Sequence, residues 1–213
     1  MRFTTILGFA LTTFAATSGL AQDWEVGVLA GFGWYNNATL TNTAGKATAG
    51  FEPRLALGVL VDENLYKYIG GELRYMYLAG GPVLKSNGIQ AHTTGLTHTI
   101  HYDLLVHFTP RESSVRPFLA AGAGIKVYSA TGDDFLDQPL TNFATIRKIN
   151  QVEPLISAGG GLKYMFRRHT QFRVDFRAYF TPLPDELFTP VPRTRISGWI
   201  INFVPSAGFS YVF

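Results

Sequence analysis

Gln171-Phe172-Arg173-Val174-Asp175-Phe176-Arg177-Ala178-Tyr179-Phe180 alternates without a break between apolar and ionisable or phenolic side chains. Side chains of an extended strand point to opposite faces in turn. Phe172, Val174, Phe176, Ala178 and Phe180 therefore share one side, and Arg173, Asp175, Arg177 and Tyr179 the other. A helix would scatter the same residues around its axis, because its period is about 3.6 rather than 2. One face is greasy and the other charged, and each needs a different surrounding.

The pattern recurs along the chain in stretches of roughly ten residues, each followed by a break, as membrane-crossing strands do. Residues 23–35 set Trp24, Val26, Val28, Ala30, Phe32 and Trp34 against Glu25, Gly27, Leu29, Gly31 and Gly33. Residues 51–61 set Phe51, Leu55, Leu57, Val59 and Val61 against Glu52, Arg54, Ala56 and Gly58. Next come Ile69, Leu73, Tyr75 and Tyr77 against Glu72, Arg74 and Met76, then Ile100, Tyr102, Leu104, Val106 and Phe108 against His101, Asp103 and His107. The fifth stretch faces Leu119, Ala121, Ala123, Ile125 and Val127 against Phe118, Ala120, Gly122, Gly124 and Lys126. The sixth faces Ile156, Ala158, Leu162, Tyr164 and Phe166 against Glu153, Ser157, Gly159, Gly161 and Lys163. After the quoted stretch, the last has Trp199, Ile201, Phe203, Ala207, Phe209, Tyr211 and Phe213 on one side and Asn202, Ser206, Gly208 and Ser210 on the other. Pro205 sits awkwardly in it, since proline cannot donate a ladder hydrogen bond.

The breaks alternate in length. Residues 62–67, 109–116 and 167–170 are short, whereas 36–50, 79–95, 129–151 and 181–197 are long. Short turns at one end and long loops at the other are the habit of bacterial outer-membrane barrels. Charges almost never fall on the apolar face, where Lys or Arg costs about 2–4 kcal/mol at mid-bilayer. The expected fold is an all-β, eight-stranded, antiparallel up-and-down transmembrane barrel. Trp34, Tyr77 and Trp199 fall at one level as an aromatic girdle, and Trp24, Phe108, Tyr164, Phe166, Tyr211 and Phe213 at the other.

Composition agrees. Beyond the first residues no apolar run reaches helical spanning length, so a membrane location requires a barrel. There is no Cys, which removes disulfides, thiolate metal sites and cysteine catalysis. The net charge of +3 comes from scattered residues, which argues against a nucleic-acid partner. Arg2, the apolar run 6–16 and Gly19-Leu20-Ala21 read as a signal peptide over 1–21, with the barrel over 22–213.

Gly208-Phe209-Ser210-Tyr211-Val212-Phe213, the stretch Arg116-Pro117-Phe118-Leu119-Ala120-Ala121-Gly122-Ala123-Gly124 and Arg173-Val174-Asp175-Phe176-Arg177 resemble the OmpA-like family of small outer-membrane barrels. The resemblance implies a multi-pass protein of the bacterial outer membrane, in contact with its lipid and lipopolysaccharide and without the family's peptidoglycan-binding domain. It also implies that Phe209, Tyr211 and Phe213 form the signal read by the barrel-assembly machinery. No cofactor is implied, and a monomer is expected.

The charged faces collect Glu25, Glu52, Glu72, Asp103, Glu153 and Asp175 with Arg54, Arg74, Lys126, Lys163, Arg173 and Arg177. Eight strands leave an interior that side chains can fill, so these charges are expected to pair as a plug. A narrow solute pore lined by the same groups is the alternative. His101, Asp103 and His107 with Ser157 or Ser210 raise a lipid A-modifying hydrolase, but no motif of such enzymes is present. His92, His98 and His101 read as a chance cluster rather than a metal site. Gly159-Gly160-Gly161 lacks the Lys-Ser/Thr of a phosphate loop and reads as relief of crowding inside the barrel. The long loops carry Asp133, Asp134, Asp137, Arg147 and Lys148, then Asp185, Glu186, Arg193 and Arg195, without naming a ligand.

Overall fold

The computed structural model describes residues 24–131 and 138–213. The expected signal peptide and the loop carboxylates Asp133, Asp134 and Asp137 lie outside the described residues.

In chain order the strands are β1 (Trp24–Asn36), β2 (Ala38–Asn42), β3 (Gly45–Phe51), β4 (Arg54–Glu63) and β5 (Ile69–Ala79). They continue with β6 (Pro82–Ser86), β7 (Ile89–His92), β8 (Gly95–His107), β9 (Val115–Ala130) and β10 (Ala144–Ile146). The last are β11 (Asn150–Arg167), β12 (Thr170–Thr181), β13 (Phe188–Pro190), β14 (Arg195–Ser197) and β15 (Ile200–Val212). Eight of them close a barrel in the order β1-β15-β12-β11-β9-β8-β5-β4, and every neighbouring pair is antiparallel.

The faces follow the alternation in sequence. Val28, Leu57, Val59, Leu73, Tyr75, Leu104, Leu119, Ile125, Ile156, Val174, Phe176 and Phe209 are exposed on the outside. Glu72, Arg74, Asp103, Lys163, Arg173, Asp175 and Arg177 are buried within. So large an apolar exterior suits hydrocarbon and would be an aggregation surface in water. The barrel wall has room for its contents because glycines face bulky neighbours. Gly122 lies opposite Asp103 and Gly161 opposite Asp175, and a Cβ on either would collide with the neighbouring strand.

Pro205 keeps the register on both sides. The β12 ladder runs through it at Phe176, while the β1 ladder is interrupted between Gly31–Ser206 and Trp34–Phe203. Its missing donor thus falls at a local gap in one ladder rather than at a bulge.

Three sequence expectations need correction. Alternation puts Phe51 on the outer wall, but it is 1% exposed. It ends β3, above the barrel, where non-local packing outweighs the parity it shares with Leu55. The break expected over 62–67 puts Asp62 in a turn, but it belongs to β4 and faces inward, because pairing with Glu72 and Glu25 carries that strand to Glu63. The long connections are not open loops. They form a five-stranded sheet, β14-β2-β3-β6-β7, and a β10-β13 pair. Leu40, Phe51, Leu84, Leu140, Phe143, Ile146, Leu187 and Phe188 pack between them as one apolar cluster. Each such side chain contributes about 1.5–3 kcal/mol on burial. The β6–β7 hairpin turns on Asn87 (φ 48°) and Gly88 (φ 80°), the pair of positive φ values a type I′ turn demands. The result is a folded cap on the end of the barrel where the long connections lie.

Candidate functional site

The site follows from strand order. β5 and β12 are four strands apart in either direction around the barrel, so they face each other across its full diameter. Arg74 on β5 donates from Nη1 and Nη2 to the Asp175 carboxylate on β12, at 3.1 and 2.6 Å. Arg173 on β12 reaches back to Glu72 on β5. Arg177 Nη2 donates to the other Glu72 oxygen at 3.1 Å. Each long guanidinium thus spans the lumen, and two parallel N–H groups hold Asp175 as a fork holds a carboxylate.

Couples two residues apart on one strand lock the bridges. Arg74 Nε donates to Glu72 at 2.8 Å, and Arg173 Nε donates to Asp175 at 2.8 Å. Toward the short-turn end, Lys163 binds Glu25 at 2.7 Å and also Asp62, which lies on the opposite wall. Arg173 Nη1 meets Asp62 at 3.0 Å. Ser210 and Ser206 donate to Glu25 and Asp175 at 2.6 and 2.8 Å. The Phe118 ring lies 4.9 Å from the Arg173 guanidinium carbon and fills the space beside it. Burying an ion costs several kcal/mol, and only dense pairing of this kind offsets that.

The network differs from the expected set at its edges. Glu52 and Arg54 pair at 3.0 Å, but at the cap end of the wall, with side chains 29% and 61% exposed. Glu153 is half-buried at the same end and accepts from Gln151 Nε2 at 2.7 Å. All three have the inward parity expected of them, yet they lie above the paired layer. Lys126 is buried but meets no carboxylate among the described residues. Its Nζ donates to Asn202 Oδ1 at 3.3 Å and sits 5.0 Å from the ring centres of Tyr35 and Tyr128. Asp62 joins the network although sequence reading missed it. The signal was available in the alternation Leu60-Val61-Asp62, which continues the strand by one inward position.

The candidate catalytic groups do meet, but in the wrong order. Asp103 lies in the middle, bonded to His101 Nδ1 at 3.0 Å and to Ser157 Oγ at 3.3 Å. The other ring nitrogen of His101 faces the Tyr179 hydroxyl at 3.3 Å. A nucleophile triad needs the imidazole between serine and carboxylate. Among the described residues no imidazole touches Ser157, and Arg177 Nε occupies its carboxylate partner Asp103 at 3.1 Å. His107 lies at the short-turn end beside Phe118. Ser210 is tied to Glu25. His92, His98 and His101 are also apart. His98 stacks on Tyr75 on the barrel exterior, His101 is in the lumen, and His92 is exposed on β7.

The aromatic residues of the last strand lie on the outer face at the short-turn end. Phe209 packs against Phe166 and Phe172, and Tyr211 against His169 and Phe213.

No family model matches the sequence. No curated protein matches it either. The fold is similar to solved structures of small eight-stranded outer-membrane barrels. Neisserial surface protein A aligns with a TM-score of 0.55 and 12% identity, over 89% of this chain and 97% of that one. The outer membrane protein OprG from Pseudomonas aeruginosa aligns with a TM-score of 0.57 and 13% identity, over 90% and 97%. At these identities the likeness is one of fold.

Proposed function

We propose that this chain, whose fold is that of the small eight-stranded outer-membrane barrels, is a non-enzymatic outer-membrane protein. Its lumen is closed to solutes, and its folded cap stands outside the cell as a structural or surface-interacting element. One observation carries the reading: ion pairs from opposite walls, Arg74–Asp175, Arg173–Glu72 and Lys163–Asp62, cross the lumen. A conducting path would have to break several buried pairs at once, at about 3–5 kcal/mol each. The apolar exterior supports the membrane location, and the alternation of short turns with long connections supports the cap facing outward. The aromatic face of Phe209, Tyr211 and Phe213 is available to an assembly factor before the barrel is embedded.

Reconstitution into planar bilayers tests the closed lumen. The wild type is expected to give no discrete current steps. Steps whose size or ion preference changes in Glu72→Gln would establish the solute-pore reading instead. Membrane fractionation tests location, because a soluble lipid-carrying barrel would extract without detergent.

A further inference from the structure

We propose that the upper lumen, just beneath the cap, holds a binding site for a small monovalent anion of halide size, formed by Lys126 with the hydroxyl of Thr99. Lys126 is fully buried on β9. An ammonium has three donors, and here one neutral carbonyl oxygen, that of Asn202, takes a hydrogen bond. The faces of Tyr35 and Tyr128 add a quadrupole, which attracts the cation without cancelling its charge.

The carboxylates of the lumen are committed elsewhere. Glu25, Asp62, Glu72, Asp103 and Asp175 all face cations or His101 deeper in the barrel. Glu153 is the direct cross-strand neighbour of Lys126 on β11, yet its carboxylate is turned to the rim by Gln151. Gln151 is itself fixed: its Nε2 also donates to Asp185 at 3.1 Å, and its Oε1 accepts the backbone N–H groups of Glu186 and Leu187, both at 3.0 Å.

A second observation points to the same place. Thr99 lies directly opposite Lys126 on β8, and Thr97 opposite Tyr128. The Thr99 hydroxyl is buried without a hydrogen-bond partner among the described residues, whereas that of Thr97 is turned to the Tyr35 hydroxyl. A buried ammonium with unused donors, near a hydroxyl whose proton has no acceptor, suits an anion between the two. Tyr128 covers the space above, stacked on Phe51 with centroids 4.6 Å apart and sharing a 2.5 Å hydrogen bond with Thr181.

The test uses the full barrel folded in detergent micelles. Its thermal unfolding is followed by gel mobility while chloride or bromide replaces gluconate at constant ionic strength. Halide is expected to raise the wild-type midpoint, less so in Thr99→Val and not at all in Lys126→Met. Glu153→Gln is expected to respond as the wild type does. Crystals of the wild type grown in bromide are expected to show an anomalous peak beside Lys126 Nζ, a readout that needs no variant to fold. Equal halide responses in wild type and Lys126→Met, or crystals with no bromide there and the Glu153 carboxylate on Nζ, would overturn the proposal.

Discussion

Removing the carboxylate of Glu72 puts the cross-lumen network to its sharpest test. The side chain is 0% exposed, and its two oxygens serve Arg74 at 2.8 Å, Arg177 at 3.1 Å and Arg173. In Glu72→Ala those three guanidiniums lose a shared buried counter-ion. Breaking a buried pair from one side costs about 3–5 kcal/mol. That is roughly a hundred- to several-thousand-fold in the unfolding constant, at about 1.4 kcal/mol per factor of ten. Arg54→Ala is the internal control. It breaks an ion pair of ordinary length, 3.0 Å, but its side chain is 61% exposed, so the loss is expected to stay within about 1 kcal/mol. The assay is urea unfolding of the barrel in lipid vesicles, read by tryptophan fluorescence and gel mobility. If Glu72→Ala loses no more than Arg54→Ala, the cross-lumen pairs do not hold the walls together, and the argument from opposite strands fails.

Three further outcomes are expected. Val59→Lys places a charge at mid-height on the exposed outer wall and should cost about 2–4 kcal/mol in vesicle-folded protein, with a far smaller loss for Thr48→Lys on the cap. Gly122→Val drives a branched side chain against Tyr102 and Asp103, and overpacking of about 1–3 kcal/mol or more should appear as a lower urea midpoint. Phe188→Ala removes a ring that meets Phe51 edge-on at 5.7 Å in the cap core. It should cost about 3–5 kcal/mol of cap stability. Limited proteolysis should then cut the cap connections while the barrel strands stay protected.

The barrel was legible because strand parity is a local property. Each residue from Phe172 to Phe180 declares its side without reference to distant partners, and a lumen only side chains wide then forces the charges together. Parity does not declare height. Glu52, Arg54 and Glu153 share the inward parity of Arg74 and Asp175, but they sit at the cap end, where water and cap residues meet them. The cap was illegible for a different reason. Its strands are short and rich in Ala and Thr, and their faces are set by contacts between connections far apart in sequence, such as Arg195 with Thr41. One local sign was present: Asn87-Gly88 is a hairpin dipeptide, and the β6–β7 turn forms on it. Asp62 was lost at a boundary, the least reliable part of any strand reading.

The seam between β1 and β15 joins Glu25 to Val212, nearly the whole described chain apart. Hairpins such as β11–β12 can zip from their two-residue turn as soon as both arms exist, but this seam must wait for both remote ends to find each other. It is also the ladder that Pro205 leaves incomplete. Loop-closure entropy alone therefore makes this seam the costliest contact of the barrel to form. Until it forms, two unpaired strand edges stand open to any other chain that passes.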